Sequence, residues 1–183
     1  MTKYEKLFFD VDDTLIDFKA AEKVALPTVF KEYKMDFTEE VESYYKTLNR
    51  QLWTALEHGE ITREQLLERR FRETMQHFGQ KADGREMDEQ YRSLLVNTVV
   101  LIDGAEQVLS QLSEKYELYI VTNGMMKTQH DRLKAANLTP YFKRIFVSEE
   151  TNYQKPQIEF FNYVMSNVED FKKSTSMIIG DSF

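Results

Sequence analysis

Leu7-Phe8-Phe9-Asp10-Val11-Asp12-Asp13-Thr14-Leu15 decides how this chain is read. Three consecutive apolar residues suit a short strand buried on both faces. They run directly into two carboxylates spaced two residues apart. Carboxylates at close range raise each other's pKa unless a cation or hydrogen bonds compensate. Such a pair at a strand end points to a metal, a nucleophile or both. A calcium loop starting at Asp10 is excluded, because Leu15 stands where glycine is needed and Ala21 where the closing glutamate belongs.

Three further apolar runs have the same character: Leu118-Tyr119-Ile120-Val121, Ile145-Phe146-Val147 and Met177-Ile178-Ile179. Helical periodicity fills the intervals between them, over residues 104–115, 127–137 and 156–168. In the last of these, Ile158, Phe161, Val164 or Met165, and Val168 share a face, with Pro156 expected in the first turn. Strands alternating with helices predict an α/β fold with a doubly wound, mostly parallel sheet. Residues 17–98 break the alternation. Phe18, Ala21, Ala25 and Val29 mark one helix, with Pro27 as a kink. Val41, Tyr44, Tyr45, Leu48, Leu52 and Leu56 mark a second. Leu67, Phe71, Met75 and Phe78 mark a third, and Met87, Tyr91, Leu94 and Leu95 a fourth. Thr62 and Gln65 have capping-box spacing. His58-Gly59-Glu60 and Asp83-Gly84 punctuate the series. The expected organisation is a core of residues 1–16 and 99–183 interrupted by an all-helical insert of about four helices, residues 17–98.

Composition narrows the function. A chain of 183 residues is long enough for a sizeable core. A net charge of −7 argues against nucleic-acid binding, which needs clustered Lys and Arg. The absence of cysteine removes disulfides and thiolate metal sites. No signal peptide is legible, and no apolar run approaches the roughly 20 residues that span a bilayer. The expectation is a cytoplasmic protein without membrane contact, monomeric by default. His58, His77 and His130 lack metal-ligand spacing. There is no Walker-type glycine-rich loop, which argues against a nucleoside triphosphate donor.

Ligands of open α/β sheets bind beyond the carboxyl ends of the strands. Those ends carry Asp10-Val11-Asp12, Thr122-Asn123-Gly124, Ser148-Glu149-Glu150 and Gly180-Asp181-Ser182, with Lys155 ahead of the following helix. Carboxylates, a hydroxyl, an amide and an amine on one rim suit a phosphate group and Mg²⁺, a hard cation that takes oxygen ligands.

In this order the motifs resemble those of the haloacid dehalogenase superfamily, over essentially the whole chain, with the helical insert similar to its C1-type cap. The resemblance implies a Rossmann-like core and a Mg²⁺-dependent phosphomonoester hydrolase. It implies Asp10 as the nucleophile that becomes an aspartyl phosphate, and Asp12 as acid and then base. It implies Thr122, Asn123 (through its backbone amide) and Lys155 as phosphate-binding residues. Mg²⁺ is implied at the Asp10 carboxylate, the Asp12 carbonyl and Asp181. Members that cleave carbon–halogen bonds lack an acid at position 12, so Asp12 favours phosphate esters. Phe8 to Phe18, Leu52-Trp53, the stretch from His58 to Arg63 and Arg70-Phe71 are similar to the YjjG/YfnB-type branch, which contains 5′-nucleotidases often acting on pyrimidine nucleoside monophosphates. A small phosphorylated metabolite is therefore the implied substrate. The family's fourth motif normally continues to a second acid, a helix and a strand. Here the sequence stops at Phe183, so the last core strand and helix are expected to be missing, with residues 177–179 at a sheet edge. Two alternatives stay open: a sugar-phosphate phosphatase or phosphomutase on the same core, and a catalytically impaired phosphate-binding or interaction protein.

Overall fold

The computed structural model describes residues 3–151 and 153–181. Ser182, read above with Gly180 and Asp181 at a strand end, and Phe183 lie outside the described residues. The chain forms two compact units, Met1–Ala21 with Val96–Phe183, and Glu22–Leu95.

The first unit is built on four parallel strands: β1 (Lys6–Phe9), β2 (Glu117–Thr122), β3 (Arg144–Val147) and β4 (Ser176–Ile179). Their order is β3-β2-β1-β4. The register sets Leu7 beside Leu118 and Phe9 beside Ile120. Because side chains alternate along a strand, the two faces acquire different cores. Leu7, Phe9, Leu118 and Ile120 pack with Leu109 of α5 (Ala105–Ser113) and Leu133 of α6 (Met126–Ala135). Phe8, Tyr119, Val121 and Phe146 pack with Phe160 and Val164 of α7 (Ile158–Ser166). Both faces of β1 and β2 are thus covered, which is why these two strands read as unbroken apolar runs.

Helix α7 corrects one expectation. It starts at Ile158, after a cis Lys155–Pro156 peptide, so Pro156 precedes the helix. Phe160, Val164 and Val168 bury the inner face, and Ile158 is 57% exposed. Val164 and Val168 of the expected stripe are buried and Phe161 packs at its margin, while Phe160 takes the inner place expected of Ile158.

The chain leaves β1 to the side of β2 and β3, then returns after β3 to place β4 on the opposite side of β1. The carboxyl ends of β1 and β4 therefore flank a topological switch point, where such sheets bind ligands. Among the described residues β4 is an outer strand, and Ile178 is half-exposed there.

The second unit holds most of α1 (Phe18–Glu32), with α2 (Glu39–Glu57), α3 (Arg63–His77) and α4 (Gly84–Asn97). Helix α1 continues through Pro27. Its aromatic centre is Phe30, Tyr45, Phe71 and Tyr91, with neighbouring ring centroids 5.1 to 6.0 Å apart. Thr62 and Gln65 form the capping box at the start of α3. Among the described residues no helix is long and apolar enough to cross a membrane.

Candidate active site

Asp10 follows β1, and its main-chain N–H donates to the Ile179 carbonyl of β4 at 2.9 Å. The nucleophile candidate is thereby fixed to both strands of the switch point. Its Oδ1 accepts from the Val11 N–H at 2.7 Å, and its Oδ2 pairs with Lys155 Nζ at 2.7 Å. Burial pushes the Asp10 carboxyl above its ordinary range, and Lys155 and the Val11 amide pull in the opposite direction. Asp12 adds a smaller push upward. Lys155 is thus the group that most opposes protonation of a desolvated carboxylate.

The loop after Asp10 turns back sharply. The Leu15 and Ile16 N–H groups both donate to the Val11 carbonyl, at 2.9 and 3.0 Å. Asp13 sits at φ 55°, a left-handed conformation that Asp tolerates better than most residues. Its Oδ1 accepts from the Phe18 N–H at 3.1 Å, and Asp17 Oδ1 accepts from the Ala20 N–H at 2.8 Å. Both side chains therefore satisfy free amides at the start of α1.

Asn123 holds Lys155 in place. Its Nδ2 donates to the Lys155 carbonyl at 2.9 Å, and its Oδ1 accepts from the Lys155 N–H at 2.8 Å. A side chain that matches both main-chain groups of one residue fixes where that lysine starts. Asp181 is exposed, and its N–H donates to Thr14 Oγ1 at 3.1 Å, which ties the end of β4 to the loop after β1.

Asp12 faces elsewhere. Its Oδ2 accepts from Gln129 Nε2 at 3.0 Å and its Oδ1 from Arg132 Nη1 at 2.5 Å. Gln129 Nε2 also donates to Thr122 Oγ1 at 2.8 Å. Thr122, Gln129 and Arg132 are all buried. The structure thus brings Asp10 together with Lys155 and Asn123, and Asp12 together with Thr122, the second group through two residues the sequence did not single out. Glu149 and Glu150 serve other ends: Glu149 Oε2 accepts from the Met126 N–H at the start of α6, and Glu150 Oε1 accepts from the Val147 N–H. A separate apolar groove of about 280 Å³, lined by Phe8, Val121, Phe161, Phe171 and Met177 among others, has no carboxylate in its walls.

A family model described as haloacid dehalogenase-like hydrolase matches residues 7–183. The chain belongs to the haloacid dehalogenase-like hydrolase family. It is 44% identical over 182 residues to the HAD-hydrolase YfnB of Bacillus subtilis, covering 100% of this chain and 77% of that protein. It is 37% identical over 180 residues to the pyrimidine 5′-nucleotidase PynA of Streptococcus pneumoniae, covering 98% of this chain and 76% of the relative. The crystal structure of magnesium-bound Bacillus subtilis YfnB superimposes with a TM-score of 0.95 at 44% identity, covering 99% of this chain and 81% of that one.

Gln129 and Arg132 left one signal in the sequence. As a haloacid dehalogenase-like hydrolase the chain must pack α6 on its sheet, yet Leu133 is the one large apolar residue among the ten of that helix that is fully buried. Gln129 lies four residues before Leu133, and Arg132 four after Thr128 and three after Gln129, so polar side chains are buried on the same side of the helix.

Proposed function

We propose that this chain is a Mg²⁺-dependent phosphomonoester hydrolase that works through an aspartyl phosphate on Asp10, with nucleoside 5′-monophosphates, pyrimidine ones foremost, as substrates. The observation that carries the reading is the partly buried Asp10–Lys155 pair at the switch point, with a second carboxylate two residues on. An Asp10 oxygen attacks phosphorus, the ester P–O bond breaks, and Asp12 gives its proton to the departing oxygen. Water then attacks the same phosphorus while Asp12 takes its proton, and the bond to Asp10 breaks to release phosphate. Lys155 and Thr122 hold the phosphoryl oxygens, and the Asn123 amide adds a main-chain donor.

The donor set fits Mg²⁺. Asp10 and Asp181 offer carboxylates at neighbouring strand ends, and no hydrogen bond among the described residues uses the Asp12 carbonyl. Mg²⁺ commonly keeps water and takes one or two carboxylates, a number that Asp10 and Asp181 supply. When bound, the ion offsets negative charge on the phosphoryl group.

The nucleotide class rests on likeness to PynA, a pyrimidine 5′-nucleotidase. Phosphate release from 4-nitrophenyl phosphate, a panel of nucleoside monophosphates and a panel of sugar phosphates, with and without Mg²⁺, tests it. Asp10→Asn is expected to lower turnover at least about 1,000-fold. Unchanged turnover in that variant overturns the nucleophile. Faster release from sugar phosphates than from every nucleotide overturns the substrate class.

A further inference from the structure

We infer that Gln129 and Arg132 are positioning residues that fix the Asp12 carboxylate and the direction of the Thr122 hydroxyl; this rests on the reaction proposed above. The chemistry of the contacts leaves one arrangement. Arg132 Nη1 donates to Gln129 Oε1 at 2.9 Å, and a guanidinium cannot accept, so that atom must be the amide oxygen. The other amide atom, 3.0 Å from Asp12 Oδ2 and 2.8 Å from Thr122 Oγ1, is then the NH₂, which donates to both. Arg132 thus dictates the amide orientation, which is otherwise ambiguous for glutamine.

The consequence falls on Thr122. Its Oγ1 receives an N–H from Gln129 at 2.8 Å, so the hydroxyl acts as acceptor on that side and its proton points away. Its acceptor within the described residues is the Asn123 carbonyl at 3.5 Å, at the limit of a hydrogen bond. Thr122 is fully buried in this arrangement. The proton is held ready for an oxygen that enters the site, as a phosphoryl oxygen would. Arg132 anchors the assembly. Its side chain is 2% exposed, it pairs with Asp12 Oδ1, and its guanidinium lies 5.6 Å from the centroid of the Phe18 ring. Gly124 leaves room for this, since a Cβ there would stand 3.1 Å from Gln129 Cγ and 3.2 Å from its Nε2.

The test uses the intact chain with Mg²⁺ and 4-nitrophenyl phosphate. Gln129→Leu and Gln129→Glu are each expected to lower kcat about 10- to 100-fold, the size of a lost hydrogen bond to a charged group, with KM moved less than about threefold. Gln129→Glu is nearly isosteric, yet it sets a carboxylate oxygen against Asp12 and against the Thr122 oxygen. If Gln129 only fills space, Gln129→Glu keeps the parent kcat, and that result overturns the inference. Gln129→Leu combined with Thr122→Val is expected to be no slower than the slower single variant, because both break one chain of contacts. Multiplying losses overturn it. Arg132→Lys is expected to recover part of the kcat lost in Arg132→Met. Crystal structures of the parent and Gln129→Glu give a readout independent of turnover: an Asp12 carboxylate that stays within about 0.5 Å overturns the positioning role. If the parent releases phosphate from no ester, the reaction proposal fails, and the Asp12 position in the two structures still decides this one.

Discussion

At the scale of single residues, the site depends on what opposes protonation of a partly buried carboxylate. Burial raises the Asp10 pKa and Lys155 is the strongest group lowering it. Lys155→Met removes that cation, so the Asp10 carboxyl should rise further and need a higher pH to ionise. The acid limb of the kcat/KM profile is then expected to move to higher pH, with a loss of roughly 100-fold at neutral pH. An acid limb that stays in place would separate Lys155 from the ionisation of Asp10. Asn123 acts one step further back. Asn123→Ala deletes both side-chain contacts to the Lys155 main chain, worth about 1 kcal/mol each, and a drop in kcat/KM of about tenfold or more is expected in a steady-state assay. Asp10, Asp12, Asn123 and Lys155 were all legible as strand-end residues. The partners they found were not, because a partner more than a hundred residues away, as Arg132 is from Asp12, leaves no mark in local spacing.

At the scale of elements, periodicity located the four strands and seven α-helices of the described residues but not the three short 3-10 turns, and packing chose their faces. Helix α3 shows the shift clearly: the pattern favours Leu67, while Leu66 is the fully buried residue and Leu67 only packs at the margin. Gly84 gives a sharper contrast. It opens α4 with Asp83 Oδ1 accepting from the Arg85 and Glu86 N–H groups. By helix propensity, Gly84→Ala should stabilise the chain by up to about 1 kcal/mol. In the structure an added Cβ would lie 1.9 Å from the Glu68 carbonyl oxygen, a main-chain atom of α3 that cannot step aside alone. The expected outcome is therefore a loss of about 2–3 kcal/mol in chemical denaturation, as helices α3 and α4 are forced apart. A gain would show that the two helices tolerate the separation.

At the scale of the molecule, each unit carries its own core, and the helical one also buries charge. Arg70 pairs with Asp88, which Arg92 also contacts at 2.6 Å, and Arg70 lies 5.0 Å from the Tyr91 ring centroid. Glu22 is buried in the same unit and accepts from the Tyr91 hydroxyl at 3.1 Å. Burial raises its pKa above the ordinary 4.5, more than Tyr91, Lys46 and Arg70 lower it. The folded chain then holds this proton more tightly than the unfolded one. Stability contributed by Glu22 is full below the unfolded pKa and falls as pH rises toward the folded one. Glu22→Gln keeps the acceptor for Tyr91 and removes the charge. Its melting temperature is expected to exceed the parent's at pH 7 and to converge with it near pH 4 (thermal scans across that range decide). Equal melting at pH 7 would place the Glu22 charge in adequate solvation.

The sequence by itself determined the fold class, the strand ends and the residue types brought to them, because burial periodicity and strand-end chemistry are local properties. It also carried the family, through motifs in a fixed order from Asp10 to Asp181. Only the tertiary structure decided which carboxylate faces which cation. Asp10 took Lys155, while Asp12 took Arg132 and Gln129 from a helix whose apolar face is too sparse to pack alone. The two carboxylates differ because a parallel crossover brings a different distant element to each, and which element arrives depends on how the whole sheet is wound.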